Sequence, residues 1–184
     1  MKNNSEPASL SGKLLISHPG LHHDAFRRTV VWLCQHDSTG ASGIIVNRIV
    51  PGKTLGDLAP GFANTPLHTL PVHEAGPVGK GRLAFGCWHS TSDENFHIHF
   101  GVSKEDAREM LITLGMPVRA FFGWAEWSPG QLDNELRQNA WVVSEVDGRL
   151  LCEKSGVALW RAFLLRKDPG LGLLAEAPDN PSSN

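Results

Sequence analysis

The chain has 184 residues, 41% of them hydrophobic and 20% charged, with a formal charge of −2 at neutral pH and a sequence pI near 6.5. That length and balance fit one globular domain, able to bury roughly two-thirds of the surface its unfolded form exposes, and exclude fibrous or disordered classes. With no overall positive field to draw in phosphate backbones, direct nucleic-acid binding is not expected.

The polar start, Met1 to Pro7, leads into no apolar run, and no stretch approaches the ~20 apolar residues of a spanning helix. A cytoplasmic protein without membrane contact is expected. Cys34, Cys87 and Cys152 are widely spaced and contain no C-x-x-C pair, which predicts reduced, mostly buried thiols.

In chain order, Gly12-Lys-Leu-Leu-Ile-Ser17 reads as a first strand ended by a Pro-Gly turn. The polar His22–Arg28 segment follows, with Phe26 as its large apolar anchor and Asp24 placed to cap a helical turn. Thr29–His36 is apolar on both alternating faces and predicts a central strand. The turn-rich Asp37–Gly43 then leads into an Ile44–Val46 strand. Residues 49–69, with Pro51, Pro60 and Pro66, predict an irregular connection holding one helical turn at Thr54–Asp57.

Leu70–His73, Arg82–His89 and Phe96–Phe100 predict strands, the last two joined by a Ser90–Asn95 turn. Ser103 caps a helix whose apolar Ala107, Met110, Leu111 and Leu114 recur at helical spacing before Gly115. Val118–Phe122 and Val142–Ser144 predict strands, and Leu150–Cys152 another short one. Ser155 starts a last helix with Val157, Trp160, Phe163 and Leu164 inward, stopped by Asp168-Pro-Gly170. Hairpins without strand–helix alternation predict an α+β fold: a mixed, mainly antiparallel sheet, curled toward a barrel and flanked by helices. Residues 1–11 are expected to be a flexible N-terminus, 12–168 the single domain and 169–184 a loosely held tail.

Several residue sets could carry chemistry. Cys87, His89, His97 and His99 resemble three nitrogens and a sulfur around zinc. Pairing the Phe96/Ile98/Phe100 face with the Leu83/Phe85/Cys87 face, however, sends Cys87 away from the histidines, so no metal or cofactor is expected. Cys34 and His36 share a strand face, but a buried thiol is the commoner outcome there. Gly76-Pro-Val-Gly-Lys-Gly81 fails the phosphate-loop pattern at Glu74 and Gly81. A polar group of Arg27, Arg28, His36, Asp37, Asn47 and Arg48 could bind a carboxylate or phosphate, or could tie the following loop to the sheet.

The Gly123–Trp141 stretch concentrates three of the six tryptophans. Ser128 at N-cap, Pro129 at N1 and Gln131 at N3 predict a capping box, with Trp127 stapled to Leu132 and Asp133 paired with Arg137. Trp124, Glu135, Asn139 and Trp141 are left unexplained by capping, with Glu135 and Asn139 one turn apart.

Gly12-Lys-Leu-Leu-Ile-Ser, Phe26-Arg-Arg-Thr-Val-Val, His36-Asp-x-x-Gly-Ala-Ser-Gly-Ile-Ile-Val-Asn-Arg48, Gly76-Pro-Val and Gly123-Trp-x-x-Trp-x-Pro-Gly-Gln-Leu-x-x-Glu-Leu-x-x-Asn-Ala-Trp141 together resemble the AlgH/YqgE family of bacterial proteins. The resemblance runs from about Gly12 to the last helix. It implies a cytosolic single-domain α+β protein, often labelled a transcriptional regulator, with no catalytic residues to carry over. Ala75 and Glu126 depart from the family pattern, where glycine is common, as does Ile49, where proline is common.

The function expected is non-enzymatic regulation or binding, acting indirectly through a protein partner or small ligand. The alternative is a hydrolase or oxidoreductase with a polar pocket around His36, Asn47 and Arg48. Candidate ligand-binding residues are Arg28, His36, Asn47, Arg48, Gln131, Glu135 and Asn139. Convergence of these in one concave pocket separates the two readings.

Overall fold

The computed structural model describes residues 9–21, 23–90 and 96–176. His22 and all but the first residue of the expected Ser90–Asn95 turn lie outside them, as do 1–8 and 177–184.

Nine strands and six helices are present among the described residues. In chain order they are β1 (Leu14–Ser17), β2 (Val30–Asp37), β3 (Gly40–Ile45), β4 (Ile49–Thr54), α1 (Leu55–Leu58), β5 (Pro71–Glu74), β6 (Val78–Ser90) and β7 (Phe96–Val102). Then come α2 (Lys104–Ile112), β8 (Val118–Trp127), α3 (Gln131–Arg137), β9 (Trp141–Ser144), α4 (Gly148–Glu153), α5 (Gly156–Lys167) and α6 (Pro169–Glu176). The strands form one mixed sheet, curled into a half-barrel and flanked by the helices, in a single α+β domain.

β8 is the strand on which the sheet turns. Its first half pairs in parallel with β5 and antiparallel with β6, and its last residues, Ala125–Trp127, pair with β3. Gly123 marks the change of partner. Its φ of +79° and an added Cβ only 2.6 Å from the Gly76 carbonyl oxygen leave no room for another residue. The prediction ended this strand at Phe122, yet it runs five residues further, to Trp127.

Apolar alternation puts both faces of the sheet to use. Leu14 and Ile16 join Trp160 and Phe163 of α5 on one side, while Leu15, with Val31 and Ile45, meets Trp127, Leu132 and Trp141 on the other. A third cluster, around Leu55, Val72, Phe85 and Val118, lies under α1 and α2.

Four expectations give way. Ile49–Thr54 is a strand, because Pro51 is tolerated at the sheet's edge, where no partner needs its missing N–H. Leu150–Cys152 is helical, since the Asp147 side chain accepts the Leu150 N–H and caps α4. Residues 169–176, expected in the tail, form α6 and bury Gly172 and Ala175. Of the expected flexible N-terminus, residues 9–11 are held against His36: Leu10 N–H donates to its Nδ1 and Ser9 Oγ to its carbonyl.

Two bulges redirect side chains. Between Leu33 and Gln35 the β2–β3 register shifts, so Cys34 is exposed while His36 is buried, and the two do not share a face. Although Cys34 is exposed, the protein packed around its thiol pushes it up to about 11, and an uncharged thiol is a poor nucleophile. Between Phe85 and Gly86 the β6–β7 register shifts at Gly101, whose φ is +70°. Gly86 and Trp88 thereby take the Phe100/Ile98 face, and Cys87 and His89 stand opposite His99 and His97. The expected separation of Cys87 from the histidines is overturned.

Candidate functional site

Where the connection from β3 to β4, the Asp24–Arg28 turn and the start of α5 meet, the surface opens into a cleft of about 560 Å³. Its lining includes Asp24, Arg27, Arg28, Asn47, Arg48 and Ser155.

Asn47 builds the floor. It follows the last β-branched residues of β3 and is only 4% exposed. Its Oδ1 accepts the Val30 N–H at 2.8 Å, and its Nδ2 donates to the carbonyls of Arg28 (3.0 Å) and Gly156 (2.9 Å). Three segments are thus tied by one amide whose two hydrogens are both committed. Arg48 shapes the wall, donating through Nη1 to the Ala25 carbonyl and through Nη2 to that of Arg27. Arg28 sits in the left-handed region at φ +56°, with its guanidinium 5.8 Å above the Trp160 ring. A left-handed residue of this size is strained and persists only where its surroundings fix it, as Asn47 and Trp160 do here.

Ser155 precedes α5 but makes no side-chain capping bond, so the helix's first N–H groups end at the cleft without that acceptor. Three guanidiniums, one carboxylate and the N-terminal end of a twelve-residue helix are among the groups that line the cleft.

Of the sequence-predicted residues, Arg28, Asn47 and Arg48 come together here, and His36, Gln131, Glu135 and Asn139 do not. His36, 7% exposed, lies with Nε2 3.5 Å from Asp133 Oδ1. Glu135 Oε2 accepts the indole N–H of both Trp127 (2.8 Å) and Trp141 (2.7 Å), while Oε1 accepts from Gln131 Nε2. Asn139 occupies the left-handed position after α3, at φ +57°. Of the three residues of the expected polar pocket, Asn47 and Arg48 line the cleft and His36 does not.

The two groups are nevertheless linked. Phe26, in the same turn as Arg27 and Arg28, stacks on Trp127 and meets Trp141 edge-on, 5.7 and 5.4 Å between centroids. The tryptophan-rich stretch thus braces the turn that carries the arginines. Sequence reasoning missed Asp24 and Ser155 as cleft residues. Ser155 was legible as a helix start, but nothing local signals that position 47 meets position 156.

The half-barrel and its flanking helices define an α+β fold with an arginine-lined recess. The chain belongs to the AlgH-like family, whose model matches residues 14–170. It is 32% identical to a UPF0301 protein of Streptomyces avermitilis over the full length of both chains, and 31% identical to one of Paracoccus denitrificans across 95% of this chain and 97% of that one. In structure it is similar to the AlgH protein of Pseudomonas aeruginosa, with TM-score 0.66, 25% identity and coverage of 98% of this chain and 100% of the other. Protein DIP2367 of Corynebacterium diphtheriae shares the fold, with TM-score 0.67, 20% identity and coverage of 96% and 95%.

Proposed function

We propose that this protein is a non-enzymatic cytosolic binding protein that takes a small anionic ligand, carrying a phosphate or carboxylate, in the arginine-lined cleft and reports its occupancy to a protein partner. The observation that carries this reading is the meeting of Arg27, Arg28 and Arg48 with the start of α5 around one recess. Planar guanidinium forks and helix N-terminal amides are both donors suited to an oxyanion. Among the described lining residues, Ser155 is the sole hydroxyl and no histidine, lysine or cysteine stands beside it to activate it. Regulation through a partner fits the charge of −2 better than contact with DNA. Three unpaired cysteines suit a reducing cytosol, and no helix among the described residues is long and apolar enough to cross a membrane.

Titration of the full chain with inorganic pyrophosphate and with citrate, by calorimetry and by NMR of the Trp160 indole N–H, tests the reading. Expected is saturable binding that weakens with salt, shifts the Trp160 resonance because Arg28 lies over that ring, and is lost on replacing Arg27 and Arg28 with glutamine. Absence of binding to either anion at millimolar concentration would refute it.

A further inference from the structure

Two strands carry the same irregularity on either side of the parallel β5–β8 pair. Along β4 the chain advances five residues, from Ile49 to Thr54, while β5 advances two, from His73 to Pro71. Along β6 it advances five, from Val78 to Leu83, against two on β8, from Trp124 to Phe122. The surplus residues on each strand have no partners opposite and arch out of the sheet. Since β4 borders β5 and β6 borders β8, the two arches stand on opposite sides of a floor made by the central pair.

Between them lies a cavity of about 700 Å³, bounded also by the end of α1 and the Pro60–Phe62 turn. The register pairs Val72 with Ala120 and Glu74 with Phe122, which puts these side chains on one face of the floor. His73 turns to the other face, against Phe121 and Trp88. Around the cavity Val72 is buried, Val50, Phe62, Leu83 and Phe122 are half-buried, and Leu58 is 43% exposed. Apolar side chains left part-open around a concave space of this size are the usual make-up of a small-molecule site. Glu74 and Lys80 are the charged residues of the lining, both exposed, and neither side chain has an ion pair or hydrogen bond among the described residues. A ligand of either net charge gains one of them and meets repulsion from the other, while leaving part of its own hydration behind. A hydroxyl or amide suits both, accepting from the Lys80 ammonium and donating to the Glu74 carboxylate.

We propose that this cavity binds an uncharged, mainly apolar small molecule, an alcohol or amide whose hydrocarbon body lies on Val72 and Phe122 and whose polar end sits at Glu74 and Lys80. The arches are what make room for it, since a regular β4 and β6 would pair flat against the floor. No residue lines both this cavity and the arginine cleft, and the two readings stand or fall separately.

The test is NMR titration of the full chain with octanol, octanoate and octylammonium at neutral pH, three probes of one chain length that differ in charge. Octanol should give saturable shifts of the Gly81 and Phe122 amide resonances, leave that of Gly148 at the start of α4 in place, and bind severalfold more tightly than either ion. Leu58→Glu removes an apolar wall that is already partly exposed, and Gly81→Trp adds bulk where a Cβ meets nothing within 4 Å. Each should weaken octanol binding by about tenfold or more, the scale of one lost apolar side-chain contact. Leu174→Glu, at an exposed leucine of α6, should leave it unchanged. Octanol affinity kept in either cavity variant overturns the proposal. So do the absence of saturable shifts with octanol and equal or tighter binding of either ion, both read on the unsubstituted protein.

Discussion

Glu135 uses both carboxylate oxygens on its own fold, receiving two indole N–H groups through Oε2 and the Gln131 amide through Oε1. Trp127 and Trp141 are almost fully buried, so removing their acceptor strands two donors away from water. Each stranded donor costs on the order of 1–3 kcal/mol. Glu135→Ala is therefore expected to lower the unfolding free energy by about 2–4 kcal/mol in urea denaturation, and Glu135→Gln, which keeps one acceptor oxygen, by less. An Ala variant as stable as the parent would show that the clamp holds nothing. Gly123 makes the sharper demand on backbone, with its left-handed φ and with the Gly76 and Val78 carbonyls where a Cβ would stand. Gly123→Ala meets both strain and collision, and should cost more than about 2 kcal/mol or prevent folding altogether, read as lost soluble yield or a lowered thermal midpoint.

Elements show where local sequence rules compete. Ser128-Pro-Gly-Gln131 fits a helix start on paper, yet Gly130 takes φ +72° and ψ −4°, and Gln131 N–H donates to the Ser128 carbonyl, closing a type II turn before α3 begins. Half of the capping box survives, since Gln131 Oε1 accepts the Ser128 N–H, while Ser128's own side chain caps nothing. Arg137 likewise reaches the Asp133 carbonyl and Asn134, leaving the Asp133 carboxylate near His36. Ser128→Ala should accordingly shift stability by less than about 0.5 kcal/mol, as for an ordinary surface change. At the other end of α3, Asn139 fills a position glycine prefers. Asn139→Gly should be neutral or stabilising, and Asn139→Ala should cost about 1 kcal/mol in chemical denaturation. Equal stability of the two variants would argue against a purely conformational role. Alternation in β2 and β7 and the spacing of α2 were readable because they are local properties of the chain. The bulges at Cys34 and Gly101 were not, and each moved a chemically interesting residue to another face.

At the scale of the whole molecule, what the sequence could not disclose is convergence across distance. Asn47 meeting Gly156 over 109 residues, or β5 lying parallel to β8, depends on how the half-barrel curls rather than on any neighbouring residue. The same curl buries His73. It sits on β5 beside Phe121 at 4.9 Å and Trp88 at 6.3 Å, 2% exposed, with Nδ1 unpartnered among the described residues. Burial, reinforced by the charge of Arg119 and partly opposed by a backbone hydrogen bond at Ala120, lowers its pKa from 6.5 to about 4. Because the unfolded chain takes up this proton more readily than the folded one, His73 contributes nothing to the pH dependence above pH 6.5. Stability then falls as the pH drops from 6.5 toward 4, and below that the loss is complete. The shift corresponds to about 3 kcal/mol across that window. Asp37, whose hydrogen bonds to Thr39 and Gln35 hold it at about 2, titrates below its ordinary 3.8 and acts outside the window. His89 is also lowered, by burial and by its two histidine neighbours, so the parent curve carries both. His73→Leu separates them. Urea midpoints measured from pH 7.5 to 4 should decline steeply for the parent and much less for the variant, which is expected to match or exceed the parent's stability at neutral pH because an unpaired buried nitrogen is replaced by methyl groups. Parallel curves would place the acid sensitivity elsewhere in the fold.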